Sequence, residues 1–355
     1  MRKTVLAIVL IAVLAGFAGC STLGYYLQAF NGQMELSRKA RPIPQVLADE
    51  QTPVEVKVAL ARAQEIREFA VRELHLPNNG SYRRYADLQR PFVVWNVFAA
   101  EEFSTAPKQW CFPVAGCVGY RGYFAQADAQ TFAAELRAQA FDVYVGGVPA
   151  YSTLGWIDDP ILNTFVGYPE AEVARLIFHE LAHQVVYLPG DTTFNESFAV
   201  TVELEGVRRW FEHTGSAPGI AALEAAQQRK QAFAELVARY RDRLATLYAS
   251  GAAAEPMRAD KRHILDEMRA EYQQLRQAWG GFSGYDGWFD QPLNNAQLAS
   301  VAIYNELVPV FQTMLADSDG DLPRFYAAVA ELAKLDRQTR GQRLAGLDRH
   351  DPTVQ

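Results

Sequence analysis

His179 and His183 stand four residues apart in the stretch FHELAHQVVYLPGDTTFNESFAV (178–200), and they are two of six histidines in 355 residues. On a helix, residues i and i+4 share a face, so both imidazoles can reach one cation. Neutral imidazole suits zinc, and zinc lowers the pKa of a water it binds to roughly 7. Glu180 lies about 100° round the helix from His179. There it can take a proton from such a water as general base and pass it to a leaving amine. A catalytic zinc needs a third protein ligand and keeps a fourth position for water. The candidates are Glu196, Glu203, His213 and the distant His263.

Geometry puts Glu196 first. The histidine helix is expected to run about one turn past His183, turn at Pro189-Gly190 and return antiparallel. The first turn of the returning helix then lies level with the histidines. Glu203 is two turns further along the same face. It is expected to orient a histidine N–H, the alternatives being a salt bridge or a solvated charge. His213, near that helix's end, reads as a capping or exposed residue.

HELAH followed by Asn195-Glu196-Ser197-Phe198-Ala199 resembles the gluzincin metallopeptidases, above all the zinc aminopeptidases, whose Asn-Glu-Gly-Phe-Ala segment supplies a glutamate ligand. That match covers roughly 25 residues. The two segments also resemble the bacterial lipoproteins called "putative aminopeptidases", and this likeness spans most of the chain. The resemblance implies His179, His183 and Glu196 as ligands of one Zn2+, Glu180 as base, and a peptide or protein substrate. Two features depart from the aminopeptidase pattern. Twelve residues separate His183 from Glu196, where the familiar enzymes have eighteen or nineteen. The Gly-x-Met-Glu-Asn segment that binds a substrate amine is absent; Glu101 or Glu102 could serve instead. A gluzincin also needs an edge strand to align the peptide and a donor for the oxyanion. GCVGYRGYF (116–124) is the candidate strand, its alternative being a core hairpin. Tyr304 is the candidate donor, with Tyr151, Tyr187 and Tyr285 as rivals.

The opening MRKTVLAIVLIAVLAGFAGC has a basic start and an apolar run from Val5 to Ala18, too short for a comfortable span. It reads as a signal peptide over 1–19. Phe17-Ala18-Gly19-Cys20 resembles a lipobox with Phe where Leu is preferred, which implies lipidation at Cys20 and a membrane anchor without a spanning helix. Ser21 after the cysteine fits the outer membrane. The implied location is the bacterial cell envelope, facing the periplasm. Cys111 and Cys117 remain, and in that compartment they are expected to form a disulfide rather than two free thiols. The net charge of -7 argues against nucleic acid as a partner. The oligomeric state is open.

The elements that must carry these residues follow from periodicity and punctuation. Residues 20–50 form the anchored N-terminal segment. Residues 51–168 form an α/β part: a helix over Pro53–Leu74 with Val54, Val58, Ala61, Ile66 and Phe69 on its apolar face, then strands near 91–98, 118–124 and 141–145, with a helix at Asp128–Ala140. Gly146-Gly147-Val148-Pro149 is expected to break the last strand. Residues 169–355 are helical: a helix opened by Pro169, a second capped by Asp191, Thr192 or Thr193, a hairpin over 220–249 and 256–278, and helices near 294–316 and 322–336. Asp317–Asp321 resembles the start of a calcium loop, but position twelve is Ala328, so it reads as a turn. The fold class is α+β, zincin-like, with a small early sheet. The function is a zinc peptidase. The competing reading is a non-catalytic envelope lipoprotein, a binding or assembly module with a structural or degenerate zinc site. Site openness separates them, because a structural zinc is closed by a fourth ligand.

Overall fold

The computed structural model describes residues 24–112 and 116–348, and the side chains of all of these except 302–305 and 348. The signal peptide, Cys20 and the Tyr304 side chain lie outside the described residues. The N-terminal part comprises α1 (24–39), β1 (Arg41–Pro42), α2 (Ile43–Ala48), α3 (Val54–Arg72) and β2 (Arg84–Ala86). The sheet region follows: β3 (Val94–Glu101), β4 (Trp110–Phe112), β5 (Gly116–Val118), β6 (Arg121–Tyr123), α4 (Gln126–Ala138), β7 (Phe141–Val148) and β8 (Ile161–Leu162). The rest is helical: α5 (Glu170–Ala182), α6 (Thr192–Thr214), α7 (Ala217–Tyr248), α8 (Ala254–Ala278), α9 (Asp286–Phe289), α10 (Asn295–Asn305), α11 (Val308–Asp317), α12 (Leu322–Ala333) and α13 (Arg337–Asp348). The chain is mostly helical with small early sheets, an α+β protein. Among the described residues, no helix is long and apolar enough to cross a membrane.

The main sheet is antiparallel, in the order β6-β3-β7. Alternation along β3 sends Trp95, Val97 and Ala99 toward Ala129, Ala133 and Leu136 of α4, and Phe98 and Ala100 toward Ala296 of α10. Both faces are therefore covered, which explains why every residue from Val94 to Ala100 except Asn96 is apolar. The expected break at Gly146-Gly147 does not occur: β7 continues to Val148, with Gly146 paired to Asn96 and Gly147 to Trp95. The Phe92 ring occupies the place of a Gly147 Cβ, 2.3 Å from its ideal position, so glycine lets an aromatic lie on the strand. Two further small sheets, β1-β2-β8 and β4-β5, have strands of two or three residues, too short for a readable period. The β4-β5 hairpin carries the expected Cys111–Cys117 disulfide.

Helix α3 forms where expected, but its buried face differs. Val54 and Val58 are 73% and 64% exposed, and Ala61 is exposed too. Burial begins at Leu60 and continues through Ala63, Ile66, Phe69 and Ala70, with Phe69 packed edge-on against Trp210 at 5.2 Å. The stretch 294–316 is two helices, not one. The chain turns at Glu306-Leu307, and Pro309 sits in the first turn of α11, where its missing N–H costs nothing. Asn294 caps α10 through Gln297 N (3.0 Å), and Asp321 caps α12 through Arg324 N (2.8 Å), so the Asp317–Asp321 segment is a helix-joining turn.

Helix α5 is at the centre. Val173, Leu176, Ile177 and Leu181 are buried as expected, but so is nearly every other residue from 173 to 182. Such a helix is enclosed rather than half-wetted, and so its histidines are buried. Antiparallel packing on α6 is visible in three successive contacts. Trp210 donates to Glu170 (2.8 Å), Gly206 faces Phe178, and Glu203 meets His179. A Cβ on Gly206 would fall 2.7 Å from both Leu74 Cδ1 and Phe178 Cδ2. Gly206→Val is therefore expected to lower stability by on the order of 2 kcal/mol, read as a lower urea midpoint. An unchanged midpoint would refute this close helix crossing.

Candidate metal centre

His179 lies in the last turn of α5, and His183 is its C-cap, still in the right-handed helical region (φ -59, ψ -21). The helix therefore ends at His183 instead of running a turn beyond. Helical geometry at the cap is enough to keep both rings on one face. The return to α6 is fixed by side chains. Asp191 caps α6 through Phe194 N (3.1 Å) and is held by Arg340 (3.0 Å). Asn195 brackets the connection, accepting from Leu188 N (2.7 Å) and donating to Leu188 O (2.9 Å). Glu196, next in sequence, then faces both histidines.

The three donor atoms converge. His179 Nε2 is 3.2 Å from His183 Nε2, and Glu196 Oε2 is 3.3 Å from the first and 3.7 Å from the second. Tetrahedral zinc with bonds near 2.0–2.1 Å separates its ligand atoms by about 3.3 Å. The donor set fits such an ion, and His179, His183 and Glu196 are a buried group that could hold a metal. Each keeps 7–8% exposure, as does Glu180, whereas Glu203 has none. The donors and the base thus keep a trace of solvent exposure, and Glu203 is wholly enclosed.

Glu203 accepts from His179 Nδ1 at 2.8 Å and also binds Arg175 (3.2 Å) and Lys230 (3.2 Å), so the histidine contact and the salt bridge weighed as alternatives are both present. A proton on Nδ1, donated to Glu203, leaves Nε2 to face the other donors. Burial opposes charge on His179, but hydrogen bonds to Glu196 and Glu203 outweigh it and raise its pKa to about 10. The two carboxylates favour positive charge at this ring. Burial would lift Glu196 as well; the charge of His183 and the hydrogen bonds of both rings instead bring it down to about 2. Glu203 is likewise held well below the usual carboxylate range, by Lys230 and Arg175 against burial. Glu180 goes the other way: burial raises its pKa, only partly offset by the two histidines. His183 Nδ1 is buried without a hydrogen-bond partner among the described residues.

Three groups beside Glu180 were not singled out from the sequence. Tyr120, in the turn between β5 and β6, has its phenol pKa raised by burial and then by the charges of Glu196 and, more weakly, Glu180. Tyr82 is fully buried, its hydroxyl has no hydrogen-bond partner among the described residues, and after burial Glu180 is the first charge acting on it. Asp159 is pushed up to about 7, chiefly by burial and further by Glu180. Gly116 of the disulfide hairpin abuts the Pro189-Gly190 turn, and Tyr120 follows four residues on, its ring 5.6 Å from that of Phe98. A positive φ at both Gly116 and Gly190 permits the contact of hairpin and turn.

Other candidates are placed elsewhere. His213 packs on Phe69 (5.2 Å), and His263 is exposed beside Glu267 (3.3 Å). Neither joins the donor group. Arg258 holds the Glu102 carboxylate at 2.6 and 2.9 Å, and Glu101 ends β3, exposed. Tyr285 stacks on Phe233 at 4.2 Å. Tyr151 hydrogen-bonds Gln33 and feels Asp159 and Glu180, and Tyr187 feels Glu196. On the proposed edge strand, Gln28 of α1 already binds Gly122 O (3.2 Å) and Phe124 N (3.1 Å).

A buried pair of helix-borne histidines and a glutamate, backed by a second glutamate, defines a helical α+β protein able to bind a metal ion. A model of the family described as "Putative aminopeptidase" matches residues 24–344, and the chain belongs to that family. No curated protein and no solved structure matches it.

Glu203→Gln keeps the shape but not the charge behind His179, and zinc affinity is expected to fall 10- to 100-fold, measured by competition with a chromophoric chelator. Equal affinity would remove Glu203 from any role in orienting the ligand. Asp159 gives a pH dependence. Folded, it holds its proton up to about pH 7, while its ordinary pKa is 3.8. Its contribution to stability is therefore greatest at low pH and falls as pH rises between the two values. In chelator-treated protein, the stability of Asp159→Asn relative to the parent should increase from pH 4 to 7 and level off above, by at most about 4 kcal/mol. A flat difference would contradict the raised value.

Proposed function

We propose that the chain is a zinc-dependent peptidase, with an aminopeptidase mode of cleavage. The observation that carries this reading is the convergence of His179, His183 and Glu196 at 3.2–3.7 Å, with Glu180 on the same helix turn and within their electrostatic reach. Membership in a family of that description supports it. A structural zinc is closed by four protein ligands. The described residues bring three together, which favours the catalytic reading over a binding module. A zinc ion held there supplies Lewis acidity, polarising a peptide carbonyl and acidifying the attacking water.

The chain's own groups do the rest. Glu180 takes a proton from the attacking water and delivers it to the departing amine; its raised pKa suits both halves of that exchange. Glu203 fixes the His179 ring. We assign the oxyanion donor to Tyr120, whose phenol remains protonated far above neutral pH and lies within the fields of Glu196 and Glu180. Tyr304, the donor expected from the sequence, stands on α10, and its side chain lies outside the described residues. With Glu102 engaged by Arg258, no carboxylate is assigned to a substrate amine. We further propose lipidation at Cys20, an outer-membrane location and a periplasmic peptide or protein substrate, on the strength of the N-terminal sequence.

Digestion of a peptide library with zinc-loaded protein is the test. Glu180→Gln should bind zinc as the parent does yet lose at least 100-fold in turnover, and Tyr120→Phe should lose roughly 10- to 1000-fold. Products shortened one residue at a time from a free amino end identify the aminopeptidase mode. Equal inactivity of parent and Glu180→Gln with zinc bound would reject the enzyme.

A further inference from the structure

Helix α1 shows an unusual face to solvent. Tyr26, Leu27, Phe30 and Met34 are 41%, 52%, 62% and 39% exposed. At 3.6 residues per turn they fall within an arc of about 100°, along about 12 Å of helix. Arg38, one turn beyond Met34 on the same side, is exposed as well. A row of large apolar side chains ending in a cation is the pattern of a helix lying at a membrane interface.

The stripe is not the wet side of a loose tail. The opposite face of α1 is built into the body. Tyr25 lies under the Arg121 guanidinium (4.0 Å), Gln28 binds β6, Glu35 pairs with Arg90 (2.9 Å), and Leu36 is fully buried. Phe124 occupies the place of a Gly32 Cβ, which sets the helix close on that ring. The outward direction of the four apolar residues is therefore fixed by the fold.

What covers them follows from the chain before them. Gly24 is four residues after Cys20. Even fully extended, four residues span at most about 14 Å. A lipid on Cys20 would hold the start of α1 within that distance of the bilayer surface, and so bring the apolar arc to the interface.

We propose that the Tyr26–Leu27–Phe30–Met34 face of α1 docks on a lipid surface and, with the Cys20 anchor, fixes the orientation of the protein on the membrane. The lipid holds only the N-terminal end of the chain at the surface, and a second contact along α1 is what makes the attachment directional. The inference rests on the Cys20 anchor proposed above but not on the metal chemistry. Gln33 of α1 bonds Tyr151, which holds the docked helix to the segment that follows β7.

Met34 provides the readout. Among the described residues it is the exposed methionine, while Met257, Met268 and Met314 are buried. The full chain, recovered lipidated and reconstituted in phosphatidylethanolamine–phosphatidylglycerol vesicles, is treated with peroxide, and sulfoxide formation is followed by peptide mass spectrometry. Met34 should oxidise at least tenfold more slowly in the parent than in Leu27→Glu/Phe30→Glu on the same vesicles. The three buried methionines should stay protected in both, showing that the variant is folded. Equal rates at Met34 would overturn the proposal. So would protection that appears without lipid in a chain begun at Ser21 and grows with protein concentration, since that would mean a second copy covers the face. An unmodified Cys20 would remove the anchor, and with it the proposal, while leaving the peptidase test untouched.

Discussion

Everything at the candidate site depends on two glutamates of α6 being forced against two histidines of α5 inside the protein. Burying a carboxylate or an imidazolium alone is costly, and removing one member of a buried pair typically costs about 3–5 kcal/mol. Here each cost is offset locally: Glu196 by both rings, Glu203 by His179, Arg175 and Lys230. The crossing of α5 and α6 is tight because Gly206 has no side chain where Phe178 and Leu74 pass. Packing and electrostatics therefore act on the same pair of helices, and neither can relax without the other.

The rest of the molecule is arranged around that pair. The Phe198 ring contacts Phe311, Phe325 and Tyr326, so the helix carrying Glu196 is backed by α11 and α12. The loop leading to β2 meets the site from the other side. Arg67, fully buried, binds Ser81 O (3.1 Å), and Asn79 donates to Gln184 (2.6 Å) just past His183. That loop delivers Tyr82 to the neighbourhood of Glu180. Tyr82 and Tyr120 come from separate segments and both feel the charge of Glu180, so parts of the chain distant in sequence act on the site.

That dispersal explains what could be read in advance. The histidines, Glu180, Glu196 and Glu203 lie on two consecutive helices, where spacing of three and four residues is itself geometry. Their mutual placement was therefore legible, as were the disulfide, the three main strands and a cap at the start of α6, filled by Asp191 of its three candidates. Tyr120, Tyr82 and Asp159 sit in turns and loops with no period, and only tertiary contacts bring them near Glu180. The apolar face of α3 was misjudged for a related reason. Val54 and Val58 repeat at helical spacing, but periodicity cannot say where along a helix the neighbouring core begins. The end of α5 at His183 and the split near Pro309 are boundaries, which local propensity fixes weakly.

The bracket made by Asn195 on Leu188 has one more implication. Its two hydrogen bonds close the link between the helices using protein atoms alone. In zinc-finger domains the ion itself drives folding, and stripping it unravels the chain. Here the chain's own hydrogen bonds hold the link between the helices, so the turn from α5 to α6 does not depend on an ion for its closure.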